Sequence, residues 1–141
     1  MLGRARIAAL IPHQGSMCLL DEVVAANARE IRCRSRTHLD PGNPLRRAGV
    51  LGMVCGIEYG LQAAALHGAL RDGERRPAGH LAGLRDVTIA AGRLDDAALG
   101  TLEVAAMLEL NERSGLIYAF RLASEAGATL VEGRATIMLT S

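Results

Sequence analysis

Glu58 is the residue whose setting calls for a chemical explanation. It is a carboxylic acid inside Gly52-Met53-Val54-Cys55-Gly56-Ile57-Glu58-Tyr59-Gly60-Leu61-Gln62-Ala63-Ala64-Ala65-Leu66, the longest apolar helical stretch of the chain. If the helix buries it, ionisation costs hydration that only a histidine, an amide or a ligand can replace. An acid held that way is a candidate proton donor or acceptor near neutral pH. The other reading is a helix turned so that Glu58 faces water; periodicity alone leaves both open, and the rest of the sequence favours the buried one. The four histidines, His13, His38, His67 and His80, show neither i, i+4 spacing nor cysteine pairing, so no metal site is expected. Each also has a plain reading: a loop or capping residue for His13, a loop residue for His38, a surface or interface position on the helix for His67, a strand start for His80. Cys18, Cys33 and Cys55 are an odd number without CxxC spacing and read as reduced core residues of a cytosolic protein. A catalytic role for Cys55 would require a neighbouring base.

Composition narrows the classes. At 141 residues the chain fits one domain, residues 1–141, large enough to bury roughly 68–70% of its unfolded surface without metal or disulfide support. A net charge of +1 with two Tyr, one Phe and no Trp offers neither the basic stripe nor the stacking platform of a nucleic-acid binder. The N-terminal segment carries Arg4 and Arg6 and only a five-residue apolar run before Pro12, too short for a signal peptide or a membrane span. All sixteen basic side chains are Arg. The pairs Arg46-Arg47 and Arg75-Arg76 read as solvated, or as contacts for a phosphate or an acidic partner.

Positioning elements follow from the pattern. Residues 17–26 and 30–37 predict two strands joined by a turn at Asn27-Ala28-Arg29, the second alternating Ile31, Cys33 and Ser35 with Arg32, Arg34 and Arg36. Asp40-Pro41-Gly42-Asn43-Pro44 breaks the ladder. A helix is expected from about 52 to 70, and its interior Gly56 and Gly60 need a packing reason, since glycine costs about 0.5–1 kcal/mol there relative to Ala. Charges, Gly73 and Pro77 end it, and strands are predicted over 79–91, 101–111, 114–124 and 129–140. One long central helix wrapped by a mainly antiparallel sheet of about six strands is an α+β chain with the arrangement of the hotdog fold. An exposed sheet edge would favour side-by-side dimerisation.

On specific segments the chain resembles the hotdog-fold 3-hydroxyacyl-[acyl carrier protein] dehydratases, most closely those of aryl polyene lipid synthesis. Ile11-Pro12-His13, running through Cys18-Leu19-Leu20 into Asp21, is similar to that family's opening Leu-Pro-His segment. Gly56-Ile57-Glu58-Tyr59-Gly60-Leu61-Gln62 is similar to its Glu-x-Met-Ala-Gln signature, with Gly60-Leu61 in place of Met-Ala. His80-Leu81-Ala82-Gly83-Leu84-Arg85-Asp86-Val87 resembles the strand after the helix, and Val131-Glu132-Gly133-Arg134-Ala135-Thr136 the closing strand. The fatty-acid members place a catalytic histidine fourteen positions before the glutamate, where this chain has Pro44. The aryl-polyene members instead keep the opening histidine, which corresponds to His13. His38 opens a loosely similar His-Leu-Asp-Pro-Gly twenty positions before Glu58 and would need a loop insertion to bring it in. Gly52-Met53 stands where the family has Pro-Gly.

The resemblance implies dehydration of a 3-hydroxyacyl thioester carried on the phosphopantetheine of an acyl carrier protein, with neither metal nor organic cofactor. His13 would take the C2 proton, Glu58 would protonate the leaving hydroxyl, and amides at Gly52 and Met53 would hold the thioester carbonyl. Gln62, one turn beyond Glu58, would orient the carboxyl, and Gly83 would line the substrate. It further implies a homodimer or higher homo-oligomer with the site across the interface. A hotdog acyl thioesterase, using the same carboxylate to direct water, and a degenerate acyl-binding subunit are the competing functions.

Overall fold

The computed structural model describes residues 2–11, 17–73 and 78–140. In chain order the elements are β1 (Leu2–Gly3), α1 (Arg4–Leu10), β2 (Glu22–Ala26), β3 (Glu30–Ser35), α2 (Gly56–Asp72), β4 (Ala78–Ile89), β5 (Leu102–Asn111), β6 (Gly115–Ala123) and β7 (Thr129–Thr140). Alternation along the central strands decides which side of the sheet is covered. β3 buries Ile31, Cys33 and Ser35 and exposes Arg32 and Arg34. β5 buries Leu102, Val104, Ala106 and Leu108, and β6 buries Leu116, Tyr118, Phe120 and Leu122. Register aligns these residues on one side, with Cys33 opposite Val104, Val104 opposite Leu122 and Leu122 opposite Val131. The side so formed is closed by α2, which packs on β3, β5, β6 and β7.

All the neighbouring strands are antiparallel, in the order β1-β2-β3-β5-β6-β7-β4. This is the hotdog arrangement expected from the pattern, with three differences. β1 and α1 were not foreseen, because a two-residue strand and a seven-residue helix carry too little periodicity to read. The first predicted strand begins only at Glu22, since the residues before it are held by side chains rather than by a ladder. Met53–Cys55 is a 3-10 turn, and α2 runs from Gly56 to Asp72, where Gly73 at φ +62° ends it.

The helix glycines have the packing reason that their cost demanded. A Cβ on Gly60 would lie 2.4 Å from Phe120 Cδ1, and one on Gly56 would lie 2.7 Å from Leu122 Cδ2 and 2.8 Å from Val131 Cγ2. Real side chains do not approach so closely, so the sheet reaches the helix only where these residues lack a side chain.

β4 breaks the rule that the sheet buries one side. It forms the edge beyond β7, and Leu84 stands opposite Ala135 and Ile89 opposite Val131, so these residues share the side on which α2 lies. Yet Leu81, Leu84 and Ile89 remain 44%, 40% and 44% exposed. An apolar stripe on an unpaired edge strand is a surface that solution does not favour.

Candidate active site

The start of α2 carries three of the residues that the sequence singled out, Gly52, Met53 and Glu58. Gly52 is extended, forms an isolated antiparallel bridge with Arg93, and leads through Met53–Cys55 into the helix. Glu58 follows on the first turn of α2. It is exposed in the single chain, which corrects the expectation of an acid sunk in apolar surroundings. The cause lies in α2 itself, which is apolar nearly all round and therefore gives no phase to periodicity. The sheet covers the side carrying Gly56, Tyr59, Gly60, Ala63, Leu66 and His67. Glu58 stands on the uncovered side with Val54, which is 56% exposed, and with the partly exposed Ile57, Leu61 and Ala65.

A cleft begins one turn beyond Glu58. It has a volume of about 440 Å³ and runs between α2 and strands β4, β6 and β7, with walls that include Leu61, Ala64, Ala65, Leu81, Leu116 and Ile137. Its size and apolar lining suit a hydrocarbon chain. Arg71 and Asp72, paired at 2.7 Å, lie at its far end.

Gln62 does different work from that expected. Its side-chain oxygen accepts the Leu19 amide at 2.7 Å and its nitrogen donates to the Met17 carbonyl at 2.8 Å. Both ends of the amide are thus engaged on the buried side of α2, away from Glu58, and they pin the segment that follows His13. From outside, Arg4 donates to the Cys18 and Leu20 carbonyls and pairs with Asp21 at 3.0 Å. His13 itself lies outside the described residues, as do Arg75 and Arg76. Gly83 is exposed on β4 opposite Thr136, whose side of the sheet is the one away from α2.

The remaining histidines separate by burial. His67 is 1% exposed, against the expectation of a surface or interface position. Its Nε2 lies 2.9 Å from the Asn27 carbonyl, so it must donate there, and Nδ1 accepts the Tyr118 hydroxyl at 2.7 Å. His80 is an exposed strand-start residue, as expected. His38 is fully buried in the turn Thr37–Leu39, and neither ring nitrogen has a hydrogen-bond partner among the described residues. So enclosed, it cannot reach a substrate in the cleft.

Burial lowers the His38 pKa below its ordinary 6.5, the Gly100 carbonyl and Asp21 opposing and Arg36 and Arg46 reinforcing the shift. The unfolded chain therefore binds the proton more readily than the folded one. Stability is complete above pH 6.5 and falls as pH drops through 6.5 toward the lower folded value. Melting temperatures measured from pH 8 to pH 5.5 are expected to fall more steeply for the native chain than for His38→Leu. Parallel curves would show that His38 does not contribute.

Tyr59, Thr37 and Asn43 were given no working role from sequence. The Tyr59 hydroxyl, beside Glu58 in sequence but buried, meets Thr37 Oγ1 at 2.8 Å and accepts Asn43 Nδ2 at 3.1 Å. These bonds tie the loop after β3 to the helix. Arg46 is 15% exposed and paired with Asp95 at 2.9 Å, so it is structural and not a free contact for phosphate. Burial pushes the Cys33 thiol up to about 12 and raises that of Cys55, which leaves neither as a thiolate at neutral pH.

Comparison with known proteins agrees with this architecture. The dehydratase heterocomplex ApeI:P from Xenorhabdus doucetiae superposes with a TM-score of 0.78 at 21% identity, over 100% of this chain and 93% of that one. A thioesterase from Haemophilus influenzae gives 0.71 at 13% identity over 100% and 92%, and a mutant thioesterase from Pseudomonas aeruginosa gives 0.72 at 11% over 99% and 95%. These likenesses establish the hotdog fold, which dehydratases and thioesterases share. No curated protein matches the sequence. Among the described residues no helix is long and apolar enough to cross a membrane. The ApeP-like family model, described as ApeP dehydratase, matches residues 5–140, and the chain accordingly belongs to that dehydratase family.

Proposed function

We propose that the chain acts as a dimer that dehydrates a 3-hydroxyacyl thioester, carried by an acyl carrier protein, to the 2-enoyl thioester. The observation that carries this reading is the position of Glu58, a carboxylic acid on an uncovered apolar helix face at the mouth of a hydrocarbon-sized cleft. A second copy meeting the β4 edge would cover the stripe of Leu81, Leu84 and Ile89 and enclose the acid that the single chain leaves in water.

Enclosure supplies the chemistry. His13 removes the proton from C2 as the Gly52 and Met53 amides stabilise the charge that develops on the thioester oxygen. Glu58 donates its proton to the C3 hydroxyl, which leaves as water. One proton is taken and one is given, so the pair returns to its starting state after exchange with solvent. Gln62 contributes by holding Met17 and Leu19, and with them the backbone that follows His13. This replaces the direct contact with Glu58 that the helical spacing suggested.

A thioesterase reading is favoured by one feature, the same fold in the two thioesterases described above. The reactions differ in product. A 3-hydroxyacyl thioester should develop enoyl-thioester absorbance without releasing thiol, both read in one sample. Thiol release without enoyl absorbance would replace the dehydratase reading with the thioesterase one.

A further inference from the structure

An ion-paired cluster sits against the loop that feeds α2. The Asp95 side chain, 3% exposed, accepts Arg46 Nη1 at 2.9 Å, Arg93 Nε at 2.9 Å and Arg93 Nη2 at 2.6 Å. Arg46 gives its other donors to the carbonyls of His38, Asp40 and Gly49. The Arg93 backbone bridges Gly52, and the Leu94 amide donates to the Leu51 carbonyl at 2.9 Å. Both sides of the loop therefore meet at one carboxylate. Hydrogen bonding from Arg93 holds that carboxyl well below the usual carboxylate range, so it stays charged wherever a histidine can act as base.

The loop needs such an anchor. Its tip is a two-residue turn in which Ala48 and Gly49 take φ of +52° and +78°, closed by bonds between Arg47 and Val50 of 2.8 and 3.0 Å, and it stands exposed. Positive φ is costly for alanine, so neighbouring structure must impose it. The tip leads directly through Leu51 into Gly52-Met53, where a displacement of one ångström is enough to cost about 10²-fold in rate.

We infer that Asp95 is a positioning residue, which through Arg46 and Arg93 sets where the Gly52-Met53 segment meets the thioester carbonyl. The inference rests on the dehydratase reading, whose failure the test distinguishes. Asp95→Asn retains the shape and removes the charge. It is expected to lower kcat by about 10²-fold while KM changes little and the protein stays folded. The carbonyl infrared band of a bound, ¹³C-labelled 2-enoyl thioester should move back toward its position in water, since the amides no longer polarise it.

An unchanged kcat in the folded variant would overturn the inference. So would a loss that cooling restores with the carbonyl band unmoved, because that pattern marks mere loss of folded protein. Should Asp95→Asn fail to fold, Arg93→Gln removes two of the three arginine bonds to Asp95 at a side chain that is 57% exposed and carries the same expectations. If the native chain forms no enoyl product, the dehydratase reading fails, and the carbonyl band alone decides the role of Asp95.

Discussion

Glu58→Gln is expected to lower kcat for dehydration by about 10²–10⁴-fold, the usual worth of a positioned proton donor. The dimer and its melting temperature should change little. Glutamine preserves the size and hydrogen-bonding reach of the side chain but has no proton to give to the departing hydroxyl. Since Glu58 is exposed in the single chain, the substitution removes no interior packing from the protomer, and exposed substitutions normally stay within about 0.5 kcal/mol. Binding should survive, so the loss belongs in kcat and not in KM. Initial rates with a saturating 3-hydroxyacyl thioester, alongside a melting curve, separate the outcomes. Full activity would remove Glu58 from the reaction, and unfolding would make it a structural residue.

Leu84→Arg is the second large effect. Leu84 lies on the α2 side of the edge strand, opposite Ala135, and is 40% exposed. A charge in the middle of the Leu81, Leu84 and Ile89 stripe leaves the protomer's own interior nearly intact but becomes unpaired and dry when a second copy covers the strand. Sedimentation should show a folded monomer where the native chain gives a dimer. Dehydration should fall to background, because Glu58 returns to water and the opposing segment is lost. A variant that remains dimeric, or a monomer with native turnover, would show that β4 is not the surface that completes the site.

The covered side was legible only in β3, where Ile31, Cys33 and Ser35 alternate with arginines; β5 and β6 were legible as strands, but runs such as Leu116-Ile117-Tyr118-Ala119-Phe120 are apolar on both sides and leave the covered side unread. Helix α2 was legible as an element and illegible in orientation. With Gly, Ala and Leu on most of its faces, nothing in the local sequence says that Tyr59 and Gln62 turn inward and Glu58 outward. His67 was misplaced to the surface for the same reason, since its partners Asn27 and Tyr118 lie 40 and 51 residues away in sequence.

The placement of the candidate residues was partly legible. Glu58, Gly52 and Met53 do gather at one helix start, whereas Gln62 binds the opening segment and Gly83 stands away from α2. β4 was expected as a strand, but nothing in its sequence shows that its own helix leaves it bare. Asp95 gave no signal, because its role depends on Arg46, 49 residues away, and on a backbone bridge between Arg93 and Gly52.

The most direct test of the shared site mixes two inactive proteins. Glu58→Gln and His13→Ala dimers, dissociated and reassociated in equal amounts, give a population in which about half of the particles are mixed. If each site draws Glu58 from one subunit and His13 from the other, every mixed particle regains one complete site of its two. The mixture should then recover about one quarter of native dehydration activity. No recovery, with mixed particles present by mass, would contradict a site built across the two copies.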